Sequence, residues 1–209
     1  MKVAVLMGGR SSEREISLRT GRGIAQSLRN LGHEVASVDA ANGRLLPAGD
    51  EERGAPPISA LEPAGESALT RPETLAGADV VFVALHGSIG ENGTLQALLD
   101  LAGKVYTGSG MLASALAMHK AMSKRVFVQA GVPTPAWQLL PADAGVADLD
   151  LAALGGLPLV VKPNEEGSSF GLTIVREPAA LPRALREAGA LGEILVERSC
   201  FLLVTSHTP

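Results

Sequence analysis

Residues 2–7, Lys-Val-Ala-Val-Leu-Met, form an almost continuous apolar run that stops at Gly8-Gly9. A short apolar run closed by glycines predicts a strand buried on both faces, with a tight turn where it opens onto a loop. Beyond the loop, Ile24, Leu28 and Leu31 recur at helical spacing, with Ser11 and Ser12 placed to cap the helix and Gly32 to end it. Residues 34–38 read as a second strand, 79–85 as another apolar strand, 94–101 as a short helix and 104–107 as a further strand ending at Gly108. Strands and helices in alternation predict a doubly wound α/β sheet.

Between these elements, residues 41–77 are rich in Pro, Gly, Ala and Glu with weak periodicity, and predict a surface insertion with short helical pieces and no chemistry. Residues 111–130 are helical in pattern. Gly131-Val-Pro-Thr-Pro135 is then a stiff connection into a strand at 136–140. A second domain is expected to begin near residue 109. It has strands at 159–162 and 172–175 joined by a glycine-rich turn, a helix after Pro178, and a strand at 193–197.

Composition narrows the class. With 46% hydrophobic residues in 209, the chain can bury a core, and with only 3% aromatics that core must be built from Ala, Val, Leu and Ile, as suits parallel strands flanked by helices. The net charge of −4 with no basic block argues against nucleic acid or a membrane surface as partner and leaves small molecules as substrates. The single cysteine, Cys200, excludes an internal disulfide framework. There is no signal-peptide pattern and no apolar run of membrane-spanning length, so a cytoplasmic location is expected.

The segment His-Gly-Ser-Ile-Gly-Glu-Asn-Gly-Thr-Leu-Gln-Ala, residues 86–97, sits where a strand ends, which is where open α/β sheets bind ligands. Its glycines let backbone approach a ligand closely, and the helix starting near Thr94 directs a positive dipole end toward the same space. His86 could hold a carboxylate there, although a strand-end histidine more often serves as a structural hydrogen-bonding residue. Glu13 alone reads as a first-turn glutamate favoured by the helix dipole. Lys120 and Lys162 would be ordinary surface lysines by composition, except that Lys162 ends an apolar run. Residues 165–171, Glu-Glu-Gly-Ser-Ser-Phe-Gly, read as a hairpin turn or a mobile glycine loop. No dinucleotide fingerprint and no phosphate-loop motif occurs.

Taken together, these segments resemble the D-alanine:D-alanine ligase family of the ATP-grasp superfamily. Residues 86–97 match its N-terminal signature at every fixed position, and residues 6–18 match its opening. The resemblance implies a Rossmann-like pre-ATP-grasp domain over 1–108, the first ATP-grasp subdomain over 109–198, and an aberrant tail over 199–209. It also implies that Glu13 binds the ammonium of the first D-alanine and that His86 sits near its carboxylate. Lys120 and Lys162 would contact ATP phosphates, Ser168 and Ser169 would belong to the lid over the nucleotide, and Glu197 would lie beside the adenine.

The implied activity is ATP-dependent synthesis of D-alanyl-D-alanine for peptidoglycan through an acyl phosphate, with ATP and magnesium required and a homodimer as the assembly. After Arg198 the sequence departs from the family. The second ATP-grasp subdomain, with the magnesium ligands, is therefore expected to be missing, and this chain alone is expected to be inactive. No metal ligand is assigned within it. Two alternatives stay open: a ligase taking D-lactate as second substrate, and a non-catalytic ATP-binding or dimerising remnant.

Overall fold

The two-residue alternation of β1 (Lys2–Met7) sends Val3, Val5 and Met7 to one face and Ala4 and Leu6 to the other, and each set joins a separate apolar cluster. A strand covered on both faces must be central. This computed structural model, which describes residues 1–60, 75 and 77–200, places β1 between β2 (Glu34–Asp39) and β4 (Val80–Val83), parallel to both. β3 (Arg44–Leu46) adds an antiparallel edge, giving the order β3-β2-β1-β4.

Helix α1 (Arg14–Asn30) buries Arg14, Ser17, Leu18, Gly21 and Ala25, a stripe at helical spacing. Leu18 and Ala25 pack with Val3, Val5 and Met7. A Cβ on Gly21 would stand 2.5 Å from Met7 Cβ, so only glycine lets helix and strand approach this closely. Helix α3 (Thr94–Leu101) covers the opposite face through Leu95 and Leu99, at the residues its pattern predicts.

Three local expectations for this half are corrected. The α1 N-cap is Glu13, without a side-chain cap bond; Ser11 Oγ instead accepts the Glu13 N–H at 3.2 Å, and Ser12 is exposed. Residues 104–107 form no strand, only a parallel bridge between Val81 and Tyr106. The described part of the 41–77 insertion is not all surface: besides β3 it contains α2 (Glu51–Gly54), whose Glu51 is fully buried against Arg29 Nη1 at 2.9 Å and Ser37 Oγ at 3.0 Å. Burial would raise the Glu51 carboxyl, but the hydrogen bonds, led by Arg29, hold it below the usual range. A three-residue strand and a four-residue helix are too short to show a period. Residues 61–74 and 76 lie outside the described residues.

The chain divides into two compact units, Met1–Leu116 and Ala117–Pro209, with the division inside α4 (Met111–Met118). The helical pattern of 111–130 is two helices, not one. α5 (Lys120–Gln129) starts afresh at His119, whose Nδ1 accepts the Met122 N–H at 3.2 Å.

In the second unit β5 (Trp137–Leu140), β6 (Leu159–Pro163), β7 (Thr173–Val175) and β8 (Ile194–Arg198) form an all-antiparallel sheet in the order β5-β8-β6-β7. The parallel strands that the composition suggests are thus confined to the first sheet. α6 (Leu181–Gly189) presents Leu181, Ala184, Leu185 and Ala188 to Leu159, Val161, Ile194 and Val196. The alternation that turns those four strand residues toward the helix puts Lys162, Leu195 and Glu197 on the other face.

Candidate functional site

In the first unit the loops after β1 and β4 are tied to each other by short polar bonds. Ser17 Oγ accepts the Gly8 N–H at 2.9 Å and donates to Ala84 O at 2.7 Å, so one buried hydroxyl links both strand ends. Arg14 donates to both Asp39 oxygens, at 2.8 and 2.6 Å, and to Gly9 O and Pro56 O, each at 2.8 Å. The pair is buried, with side-chain exposures of 2% and 0%. Gly8, at φ +76, lies against it: a Cβ there would meet Arg14 Nη1 and Asp39 Oδ1 at 2.7 Å.

On this base stand two of the residues that the sequence singles out. Ser11 Oγ donates to His86 O at 2.7 Å, and the half-buried His86 ring has its Nε2 at 3.2 Å from Thr20 Oγ1. A Cβ on Gly87 would stand 2.6 Å from Glu13 Oε2, which places the Glu13 carboxylate directly beside the His-Gly turn. Glu13 and the segment around His86 are therefore brought together across a long stretch of sequence. Asn92 Oδ1 accepts the Thr94 N–H at 3.0 Å and so occupies one of the amides at the start of α3.

In the second unit the diagonal relation of Lys162 and Glu197 across β6 and β8 makes a direct ion pair, Lys162 Nζ to Glu197 Oε1. The other carboxylate oxygen, Oε2, receives Lys124 Nζ at 2.7 Å. Burial alone would raise the Glu197 carboxyl, but hydrogen bonds from Lys124 and Lys162 prevail and hold it below the usual carboxylate range. Lys120, the first residue of α5, donates to Asn164 O at 3.1 Å and to Glu166 O. Burial, reinforced by the Lys162 charge, pushes the Lys120 ammonium below its ordinary pKa. Lys120, Lys124, Lys162 and Glu197 line one cavity of about 380 Å³, together with Thr134, Phe127 and Leu195. Three ammonium groups face one carboxylate there, so the cavity wall carries excess positive charge suited to a polyanion.

Lys124, Thr134 and Asn164 are the residues that sequence reading missed. Lys124 had a signal: it lies four residues after Lys120 and so shares its helix face. Asn164 had none. Its buried side chain accepts the Ala121 N–H at 3.0 Å, holding the first turn of α5 to the end of β6. Ser168 and Ser169 are exposed and both at positive φ, 47° and 60°, in the loop after β6; neither is among the described residues lining the cavity. That loop reaches the cavity through the Glu166 carbonyl on Lys120.

Among the described residues no group of three or more His, Cys, Asp or Glu side chains could hold a metal ion. Nor is any described helix long and apolar enough to cross a membrane.

Comparison with known proteins gives a consistent result. Residues 2–109 match the family model described as the D-ala D-ala ligase N-terminus, and residues 126–201 match that of the D-ala D-ala ligase C-terminus. A D-alanine--D-alanine ligase from Gloeobacter violaceus is 45% identical over 190 residues, covering 90% of this chain and 54% of the relative. One from Halorhodospira halophila is 42% identical over 195 residues, covering 93% and 54%. The chain thus spans about half the length of the curated relatives it matches. Among solved structures, D-alanine--D-alanine ligase from Bacillus anthracis complexed with ATP superposes with a TM-score of 0.75 at 29% identity, covering 96% of this chain and 59% of that one.

Proposed function

Because the chain belongs to the D-alanine:D-alanine ligase family, we propose that it carries the amino-acid-binding and nucleotide-binding residues of an ATP-dependent ligase that joins two D-alanines. The observation that carries this reading is the cavity in which Lys120 and Lys162 stand with Glu197 under excess positive charge. That arrangement suits the phosphates of ATP, the ligand of the Bacillus anthracis relative.

In this reading an oxygen of the first D-alanine carboxylate attacks the γ-phosphorus and ADP leaves. The nitrogen of the second D-alanine then attacks the resulting acyl phosphate at its carbonyl carbon, losing a proton as phosphate departs. Lys120 and Lys162 meet the negative charge that builds on the transferring phosphoryl group. Glu13 orients the ammonium of the first D-alanine, and His86, held by Thr20, lies near its carboxylate. Glu197 lies beside the adenine, and Ser168 and Ser169 belong to a loop that covers the nucleotide. Residues 1–108 then form the substrate domain and 109–198 the ATP-grasp subdomain.

Magnesium accompanies ATP in such chemistry, but the described residues do not fit it, and no step here is routed through it. Supported by the resemblance alone are a cytoplasmic setting, a homodimer and a place in peptidoglycan precursor synthesis. Calorimetric titration with ATP tests the nucleotide reading: saturable binding that displaces with ADP is expected, and its absence at millimolar nucleotide would sink the reading.

A further inference from the structure

Lys120, Lys124 and Lys162 all line the cavity, yet they are not equivalent. Lys124 is the most enclosed, with its side chain 7% exposed against 19% for Lys162. Its ammonium has three N–H groups and three acceptors: Glu197 Oε2 at 2.7 Å, Thr134 Oγ1 at 2.6 Å and Pro135 O at 3.3 Å. Every donor is therefore committed to the protein, and none is left for a ligand. Lys162, by contrast, meets the other oxygen of the same carboxylate from the more exposed side.

We propose that Lys124 is a positioning residue of the nucleotide site: it is the permanent counterion of Glu197, and by neutralising that carboxylate it releases Lys162 to turn toward phosphate. This rests on the nucleotide reading above. The reasoning is one of charge balance. A carboxylate only 13% exposed must keep a counterion, because an uncompensated charge in that setting is costly. With Lys124 in place the demand is met from inside the wall, and Lys162 is left as the surplus charge on Glu197, while Lys120 is acted on by Glu165 and Glu166 as well. Without Lys124, Glu197 has only Lys162 to pair with, and a phosphate must compete with a carboxylate for that ammonium. Lys124 thus acts on phosphate only through Glu197.

The test is the ratio of ATP affinity to adenosine affinity of the full 209-residue chain, measured by titration for four proteins: the native chain, Lys124→Met, Glu197→Gln and the double variant. Taking the ratio cancels any effect on the adenine end and any general loosening of the fold. Lys124→Met is expected to lower the ratio about tenfold or more, while the same change in the Glu197→Gln background lowers it less than about threefold, since no carboxylate remains to hold Lys162. An unchanged ratio in folded Lys124→Met, with both affinities falling together, would assign Lys124 a merely structural role and overturn the proposal. An equal fall in both backgrounds would show Lys124 touching phosphate itself and overturn it as well. Should Lys124→Met fail to fold, Lys124→Gln takes its place in both backgrounds and is judged by the same criterion. A native chain that binds neither ATP nor adenosine would instead bring down the nucleotide reading itself, a distinct result.

Discussion

The two units each bury ionic groups, and they do so to opposite ends. Arg14 and Asp39 form a closed bidentate pair with exposures of 2% and 0%, and the remaining Arg14 contacts go to backbone carbonyls of the loop after β1 and of Pro56. Around Glu197 the charges do not balance: three lysines share a cavity wall with one carboxylate, and exposure there rises to 19% at Lys162. Balanced and sealed charge holds backbone in place. Charge left in surplus at the wall of a cavity is held ready for a ligand that brings the opposite charge.

Breaking the sealed pair should have the largest effect. Arg14→Ala strands the Asp39 carboxylate in the core and is expected to cost about 3–5 kcal/mol of stability, read by urea denaturation, with hydrogen exchange locating the loss in residues 1–60. A loss below about 1 kcal/mol would show that the pair is not the brace described here.

At the surplus cluster the fold should survive and binding should suffer. Lys162→Ala is expected to weaken ATP binding by about 1.5–3 kcal/mol, the scale of a charge-assisted hydrogen bond, with unchanged circular dichroism. Titration showing native affinity would remove Lys162 from the phosphate site. A smaller, selective effect is expected from Glu13→Ala, which should weaken D-alanine binding by about 1 kcal/mol and leave ATP affinity alone. Saturation-transfer NMR with D-alanine and an ATP titration on the same variant check both halves. Equal losses would take Glu13 out of the amino-acid site.

The pH dependence sharpens the contrast further. Lys120 has its pKa lowered, and the protonated form is the one that attracts phosphate. ATP affinity should therefore fall as pH rises through the free-state value, which lies below 10.5, and binding at and above that point should take up protons, measurable as a buffer-dependent enthalpy. Lys120→Ala should abolish the uptake. For Glu197 the sign runs the other way: its folded pKa lies below 4.5, so its stabilising contribution is complete above that value and is lost as pH falls through the lowered one. Glu197→Gln should flatten that acid limb of the unfolding curve, and an acid limb identical to the native one would contradict the assignment.

Much of the fold is legible along the chain. The apolar run closed by Gly8-Gly9, the helix at 94–101 and the strands of the second unit follow from periods that neighbouring residues set among themselves. The segments around Glu13, His86, Lys120 and Lys162 stand at the ends of those elements, so the same periods mark where they lie. Features without a period were missed: β3 and the burial of Glu51 within the insertion, whose short helical pieces were expected, and the break at His119 that splits one helical pattern into two.

What only the tertiary structure decided is pairing between distant residues. That Glu197 takes Lys124 as well as Lys162, that Asn164 holds the first turn of α5, and that Glu51 is buried against Arg29 are all choices made between segments far apart in sequence. Periodicity arises from contacts a few residues away and is written locally. A counterion is selected by burial, since a charge withdrawn from water must find whichever opposite charge the fold delivers, and only the assembled chain says which that is.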